Sequence, residues 1–344
     1  MNTNKNRQYI LAGYDVTEFI IQRTLPMALL SKPEWGEMPD TPRLDIELFG
    51  PRGEFSIRNT NSFLYGKDPT ELTIEVRLTQ GSSEIIEWSG TIETIEENTE
   101  NYTTRITGIS PFQKLLDSPA LVTTGDQTPA QLSRNIFLLY NIDINESSYS
   151  LADSLQENLI AAQVDPNLLS SQITLMELQK QLAAAGYGRI YPVNGEMYYE
   201  SYTGVRPTTA FSINERDLMT HPKITTETRE AATFTVETLF GQVQSESFVT
   251  GDSAKNLDFG PNAAVKITSL TGGQLCADQW EKIDKEKAYR IDFALLHELG
   301  NYLDLSSYIE LTWEKGFIFN EIVEIININR TDPRYTQFVG RVLF

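Results

Sequence analysis

Two histidines, His221 and His297, and one cysteine, Cys276, limit the acid–base, nucleophilic and metal chemistry open to this chain. His297 stands in the fragment His297-Glu298-Leu299-Gly300-Asn301. A zincin helix carries a second imidazole one turn after the first, so that both face one metal ion. Here Asn301 occupies that second position. A zinc site built from both histidines and a carboxylate has no spacing to support it. The simpler role for His297 is an ordinary surface or core residue. Cysteine-protease chemistry would need Cys276 beside His221 or His297, but the residues from Gly272 to Trp280 make no recognisable nucleophile site. No G-x-S-x-G elbow announces a Ser-His-Asp triad. Among 47 Asp and Glu residues some pair at glycosidase separation is expected by chance, and no particular pair stands out. There is no P-loop and no G-x-G-x-x-G cradle. The expectation is no catalytic residue, no cofactor-binding residue, no cofactor and no metal ligand.

Binding chemistry has one candidate. Tyr191, Tyr198, Tyr199 and Tyr202 cluster near the end of the stretch Ile173–Tyr202 and could form a platform for a sugar or a protein partner. The competing reading, preferred here, is a pair of strands filled with residues of high strand propensity. The elements that position these tyrosines are legible. Thr174 and Glu177 match the S/T-x-x-E capping box, with Ile173 and Leu178 at the hydrophobic-staple positions. Leu175, Leu178 and Leu182 share one helical face. Gly186 and Gly188 are expected to end that helix where a left-handed residue is needed. Asn194-Gly195 is a two-residue hairpin signal, because a type I′ turn needs φ > 0 at both central positions.

Upstream, the pattern is extended. Leu44, Ile46 and Leu48 alternate with Asp45 and Glu47, and Ile74, Val76 and Leu78 alternate with Glu75 and Arg77. Gly50-Pro51-Arg52-Gly53 is a turn from which Phe55 restarts extended chain. Gln80-Gly81-Ser82-Ser83 connects to a strand over Ile85–Ile95, in which Gly90 marks a bulge or a close backbone approach. Tyr102, Thr104 and Ile106 alternate in the next strand. This is an antiparallel β domain with the spacing of a barrel or sandwich. Phe112, Leu115 and Leu116 after Pro111 suggest a short helix. Thr128-Pro129-Ala130-Gln131 starts a further helix with Leu132, Ile136 and Leu139 on one face. Residues 141–171 are polar, with a short helix expected near Leu155–Ala162. After Gly204 the pattern returns to strands. Phe234 and Val236 alternate with Thr235 and Glu237, and Ala264–Leu270 is a candidate strand before a helix over Ala277–Lys287. Arg290–Leu296, Tyr308–Trp313, Ile318–Asn329 and Gln337–Leu343 close the chain as strands.

The bulk numbers narrow the function classes. At 344 residues the chain is long enough for two or three domains. Its formal net charge of −19 argues against a protein that holds nucleic acid by neutralising phosphates, which requires clustered Lys and Arg. Such a charge suits solubility, or a surface that nucleic acid passes without sticking. A single cysteine rules out an intrachain disulfide framework and suits a reducing cytoplasm. The start, MNTNKNRQYILAGYDV, has no apolar core of signal-peptide length, and no run approaches the ~18 apolar residues of a membrane span. No stable membrane insertion is expected.

The order of these pieces resembles one family. Asp15-Val16-Thr17 is similar to an opening "D-V-T". Leu44–Phe49, Gly53-Glu54-Phe55 and Phe63-Leu64-Tyr65-Gly66 resemble a first strand, turn and loop. Trp88-Ser89-Gly90-Thr91-Ile92 resembles an "aromatic-x-G-x-I" strand, and Tyr102–Leu116 a strand running into a short helix. Thr128-Pro129-Ala130 and the helix–hairpin Leu178–Tyr202 follow in the same order. Together they resemble the phage tail hub family, which includes contractile-tail baseplate hubs and siphophage tail-tip hubs, over about residues 10–205. The resemblance implies a β-rich α+β fold with two tube-like β-barrel domains and an intervening small α/β domain. The corresponding boundaries are 1–122 for the first barrel, 123–205 for the helix–hairpin domain and 206–344 for the second barrel with insertions. It further implies a homotrimer in the virion tail, assembled in the host cytoplasm. That trimer would join the tail tube or distal tail protein to a spike, fibre or tape-measure protein, and DNA would transit its channel without specific binding. No catalysis is expected of such a hub. The rival readings are a cell-wall hydrolase and a carbohydrate-binding tail module.

Overall fold

A computed structural model describes residues 7–21, 29–31, 35–38, 43–80, 83–110, 125–156, 160–165, 173–193, 196–203, 211–226, 232–245, 253–285, 289–300, 302–305, 307–316, 318–329 and 335–343. The chain is β-rich, with helices gathered in its middle and between its later strands. Strands β1 (Arg7–Leu11) and β2 (Tyr14–Asp15) open it, and β3 (Leu29–Ser31) departs to another sheet. With β4 (Leu44–Phe49), β5 (Thr73–Gln80), β6 (Ser83–Asn98) and β7 (Thr103–Ile109), the first two strands form a six-stranded sheet ordered β2-β1-β5-β6-β7-β4.

Period-two alternation sets the faces of this sheet. Leu44, Ile46 and Leu48 are buried, while Asp45 and Glu47 lie on the opposite side. The Asp15-Val16-Thr17 turn is closed locally. Asp15 Oδ1 accepts from Thr17 N at 3.0 Å and from Thr17 Oγ1 at 2.6 Å, and Thr17 Oγ1 accepts from Tyr9 N at 2.9 Å. The side chain thus replaces a backbone turn partner and aims Val16 into the core. In β6, Thr91 pairs with both Thr73 and Ile109, so the strand hands over from β5 to β7 at this point. Gly90 sits at that handover. A Cβ there would run into the Ile109 carbonyl and the Trp88 ring, which is the close approach expected from the sequence.

Phe55 does not restart a strand. Residues 51–66 form successive turns, because Glu97 reaches over and accepts from Ser56 Oγ and Ile57 N, both at 3.0 Å. Phe55 is instead folded down into the core. The short helix expected after Pro111 and the turns at Gly81-Ser82 and Asn194-Gly195 lie outside the described residues.

The middle of the chain holds α1 (Pro129–Leu139), α2 (Glu146–Gln156), β8 (Ala162–Val164), α3 (Leu175–Ala185), β9 (Gly188–Val193) and β10 (Glu196–Ser201). Helix α2 ends where a helix was expected to begin. It starts earlier because Asn145 Oδ1 accepts from Ser148 N at 3.0 Å, and its buried side is Tyr149, Ala152 and Gln156 rather than a leucine stripe. The capping boxes of α1 and α3 are half formed. Thr128 and Thr174 accept from the backbone of Gln131 and Glu177. The Gln131 side chain goes instead to Asp153, and Glu177 accepts from Gln181.

The later strands are β11 (Phe211–Asn214), β12 (Lys223–Thr226), β13 (Ala232–Thr238), β14 (Gly241–Gln244), β15 (Ser253–Asp258) and β16 (Val265–Ile267), followed by α4 (Leu270–Lys285). Then come β17 (Tyr289–Leu296), β18 (Tyr308–Trp313), β19 (Ile318–Asn329) and β20 (Tyr335–Leu343). The expected strand Ala264–Leu270 is shorter, and the helix expected from Ala277 begins at Leu270. Ser269 Oγ caps Gly272 N at 2.9 Å, so the Gly272-Gly273 pair lies inside the first turns rather than before them. A seven-stranded sheet is ordered β11-β18-β19-β20-β17-β12, with β3 paired to β19. Strands β14-β13-β15 form a smaller sheet against α4, and β8 pairs with β16.

Three cores result. One lies in the first sheet, one on the seven-stranded sheet, and one among α1–α4, the hairpin and the β13 sheet. The hairpin β9–β10 borders two of them: Ile190, Met197 and Tyr199 enter the helical core, while Tyr191 and Val193 enter the core of the seven-stranded sheet. We expect Gly90→Ala to destabilise the first sheet by about 1–3 kcal/mol, the usual scale for overpacking. Urea denaturation measures this, and a change under about 0.5 kcal/mol, the scale of an inconsequential surface substitution, would mean the strands do not close on Gly90.

Candidate functional site

The register of the hairpin builds the most heavily charged interior site among the described residues. Arg189 stands opposite Glu200 and Tyr191 opposite Tyr198, so all four share the face turned to the seven-stranded sheet. Arg189 is 1% exposed. Its Nη2 donates to Glu200 Oε1 at 3.0 Å and its Nε to Oε2 at 3.3 Å. Nη2 also donates to Glu324, 2% exposed, on β19. Tyr191 Oη donates to Glu200 at 2.8 Å, and Tyr308 Oη donates to Glu200 at 2.9 Å and to Glu324 at 3.4 Å. The Trp35 ring covers the guanidinium, whose central carbon lies 4.0 Å from the ring centroid. Across the sheet Glu324 stands opposite Tyr308 on one side and Arg341 on the other, and Arg341 opposite Arg290. A polar row therefore crosses the sheet on the face away from Ile309, Val323 and Val342.

The electrostatics fix the protonation of this cluster. Burial works against the Arg189 charge, but the carboxylates of Glu200 and Glu324 outweigh it and hold the group well above its ordinary pKa. Burial, followed by the charge of Glu200, pushes Tyr191 and Tyr308 well above the usual phenol range. A permanently charged guanidinium held in a two-carboxylate fork has no proton to exchange near neutral pH. The arrangement locks the hairpin to the sheet.

The glycines behind the hairpin act differently from expectation. The left-handed residue after α3 is Tyr187, with φ 41°, whereas Gly186 has φ −93°. What requires glycine is space. A Cβ on Gly186 would meet the Tyr199 hydroxyl and the Gln156 amide, and one on Gly188 would lie 2.6 Å from the Tyr199 ring. Buried Gln156 fills this corner, accepting from Ala130 N at 2.9 Å and donating to Gly186 O at 3.1 Å and Ser201 Oγ at 2.8 Å.

The four tyrosines do not form a platform. Tyr199 is buried and donates to Leu182 O at 3.0 Å. Tyr191 is buried in the charge cluster, Tyr198 is half-buried and accepts from Asn145 Nδ2 at 2.9 Å, and Tyr202 meets Trp35 edge-on. Cys276 is enclosed in α4 beside Ala184, and burial pushes its thiol far above the reactive range. His221 is exposed just before β12. The side chains of His297 and Glu298, and Asn301, lie outside the described residues. Among the described residues no group of three or more His, Cys, Asp or Glu is placed to hold a metal ion, and no helix is long and apolar enough to cross a membrane. The sequence reading missed Trp35, Arg189, Glu200 and Glu324. One signal was present, since a two-residue turn at Asn194-Gly195 already sets Arg189 opposite Glu200.

The fold, with its hairpin set between the helical core and the seven-stranded sheet, is similar to that of solved tail proteins. Three solved structures match it along nearly the whole chain. The 43 kDa tail protein of prophage MuSo2 from Shewanella oneidensis is 13% identical, with TM-score 0.59 and 98% of each chain covered. A tail protein from Neisseria meningitidis MC58 is 10% identical, with TM-score 0.60, covering 98% of this chain and 96% of that one. Prophage tail protein gp18 from Listeria monocytogenes EGD-e is 10% identical, with TM-score 0.56, covering 98% and 94%. At this identity the likeness shows the fold, and it agrees with the family resemblance carried by the order of motifs. No protein-family model and no curated protein matches the chain.

Two outcomes test the site. Arg189→Met leaves buried Glu324, with the quarter-exposed Glu200 beside it, without their cation and should cost about 3–5 kcal/mol in denaturant unfolding; a loss under about 1 kcal/mol, the scale of an exposed pair, would show that Glu324 is hydrated as well. Burial also raises Tyr187, to about 12, and Tyr149 and Tyr199 further. Unfolded tyrosines ionise near pH 10, so above that pH the unfolded chain binds fewer protons than the folded one. Stability is therefore full below about pH 10 and falls as the pH rises towards 12. Tyrosinate absorbance should lag and then rise together with the loss of tertiary structure. A single simple titration of all 15 tyrosines near pH 10 would contradict these burials.

Proposed function

We propose that this chain is a structural component of a phage tail, and specifically a hub. In this reading three copies form a ring that joins the tail tube or distal tail protein to a spike, fibre or tape-measure protein. DNA passes through the ring, and the protein carries out no catalysis. The observation that carries the reading is the mutual coverage with three tail proteins, 98% of this chain in each case. We assign the first sheet and the seven-stranded sheet to the two tube-like domains, 1–122 and 206–344, and the helix–hairpin unit, 123–205, to the piece between them. Residues 232–285 belong to the second of these by sequence, although Phe234, Val236, Cys276 and Ala277 pack into the helix–hairpin core.

The charge supports a passage role. On the solvent face of the first sheet, register rows set Asp45 opposite Thr107 and Glu47 opposite Arg105, which in turn faces Glu96. The arginines of this face are matched by carboxylates, Arg105 with Asp45 at 3.3 Å and Arg77 with Glu75 at 2.7 Å. A guanidinium already held by a carboxylate is a poor phosphate clamp. We therefore place this face towards the channel. Native mass spectrometry and electron microscopy of the full chain, alone and mixed with tail-tube protein, test the reading. The expected result is a trimeric ring with an acidic lumen that caps the tube. A chain that stays monomeric in both conditions, or a ring with a basic lumen, would overturn it.

A further inference from the structure

The turn between β13 and β14 carries the most exposed large apolar side chain among the described residues, Phe240, at 70%. The turn itself is well held. Thr238 Oγ1 donates to Gly241 O at 2.8 Å and accepts from Phe240 N at 3.2 Å, and Leu239 N donates to Ile267 O at 3.1 Å. Gly241 completes it with φ 136°, a backbone conformation that suits glycine. Leu270, also exposed, stands beside Gly241 at the start of α4. Helix α4 is tied to the same hairpin where Gln274 Nε2 donates to Gln244 O at 2.6 Å. The two segments that meet here, 238–245 and 267–277, contain no Asp, Glu, Lys or Arg. On a chain of net charge −19 this corner is a neutral apolar knob, and its ring is positioned before anything binds.

A second group of exposed rings lies on the first sheet. Phe55 is buried at its base and meets Phe63 edge-on at 6.0 Å between centroids. Tyr14 lies 4.5 Å from Phe63, and Phe19 meets Phe55 edge-on at 5.1 Å. Tyr14 is 54% exposed and Phe19 40%, so two outer rings flank two deeper ones and form a shallow aromatic dish. Lys67 Nζ, 6.0 Å from the Tyr14 centroid, puts a cation at the rim, and the Asp15 carboxylate is taken up by Thr17. Two copies of an acidic chain repel over most of their surfaces and approach closely only where acid is absent or offset. A three-fold ring also needs two different surfaces on each copy, because a self-complementary surface closes a two-fold dimer instead. The neutral tip and the dish with its lysine meet both conditions.

We infer that the Phe240 tip of one copy seats on the Tyr14–Phe19 dish of the next. This contact presupposes the three-copy ring proposed above and names what closes it. Native mass spectrometry of the full chain compares wild type with Phe240→Asp. A second arm oxidises the double variant Tyr14→Cys, Phe240→Cys with oxidised glutathione. Cys276 is buried, so the introduced thiols are the ones that react. Phe240→Asp should keep the wild-type melting profile and raise the concentration at which the trimer half-dissociates by at least about tenfold, the scale of a lost aromatic anchor. The double variant should link copies into covalent trimers, and neither single-cysteine variant should link. A monomeric wild type would overturn the ring and this contact together. The contact alone is overturned if Phe240→Asp leaves the trimer unchanged, or if that variant stays trimeric and instead loses tail-tube protein. It is equally overturned if the double variant stays unlinked or Phe240→Cys alone links to itself, and this arm decides by itself should Phe240→Asp fail to fold.

Discussion

The position of Arg189 between Glu200 and Glu324 constrains more of this molecule than any other interaction. Burying Arg189 and Glu324, with Glu200 partly shielded beside them, is expensive, and their mutual attraction repays the cost only with good geometry. The hydroxyls of Tyr191 and Tyr308 supply further donors to the same carboxylates. A well-packed apolar substitute could be as stable. What the charges add is register. The hairpin is buried on both sides, with Ile190, Met197 and Tyr199 on one face and Arg189, Tyr191 and Glu200 on the other. Because side chains alternate with period two, a slip of one residue would place Arg189 in the helical core and Ile190 against the polar row of the sheet. An apolar hairpin would tolerate that slip, and this one does not.

The same requirement explains the small residues and amides around it. A two-faced hairpin must be approached closely from behind, and Gly186 and Gly188 allow Tyr199 to lie flat against the end of α3. That helix end is then tied off twice. The carbonyl of Gly186 accepts from Gln156, and that of Ala184 accepts from Trp280 Nε1 at 2.9 Å. Helix C-termini leave carbonyls without intrahelical partners, and here a buried amide from α2 and an indole from α4 satisfy them. The helical core is therefore arranged around the strand-to-helix junction that presents Arg189. Residues as far apart in sequence as Gln156 and Trp280 are held by one requirement, to support the hairpin from the side away from the charges.

Much of the strand framework was legible in the sequence because the closing strands are rich in β-branched and aromatic residues. Tyr308–Trp313 and Ile318–Asn329 have the expected bounds to the residue, although a bulge between Ile325 and Asn327 breaks the alternation of the second. Helix α2 was not legible. Its inward residues Tyr149, Ala152 and Gln156 include no large aliphatic side chain, and Gln156 is buried for its hydrogen bonds rather than for its hydrophobicity. The start of α4 was hidden by Gly272-Gly273, which reads as a break, yet Gly273 is needed there because a Cβ would strike Thr238. The parallel pairings of β11 with β18 and of β13 with β15 join distant segments, which no local pattern reveals. The charged site lay between these cases. The turn residues set Arg189 opposite Glu200, but Glu324 and Trp35 reach them only through the tertiary fold.

The placement of charge in this protein separates two demands that a net charge of −19 leaves confounded. Solubility alone asks for acid spread over every exposed surface and is indifferent to where the cations go. A wall that a polyanion must slide past asks for more, since each basic residue on it must already be engaged, because one free guanidinium fork can hold a phosphate. In the proposed reading the first sheet meets the stricter demand on its solvent face. Arg77 and Arg105 each lie against a carboxylate of their own or a neighbouring strand, and threonine fills the rows between, at Thr73, Thr91, Thr94 and Thr107. Threonine is a good strand former that adds no charge. In the proposed reading such a face is shaped by what must not stay on it, just as the interior of the hairpin is shaped by what must not slip.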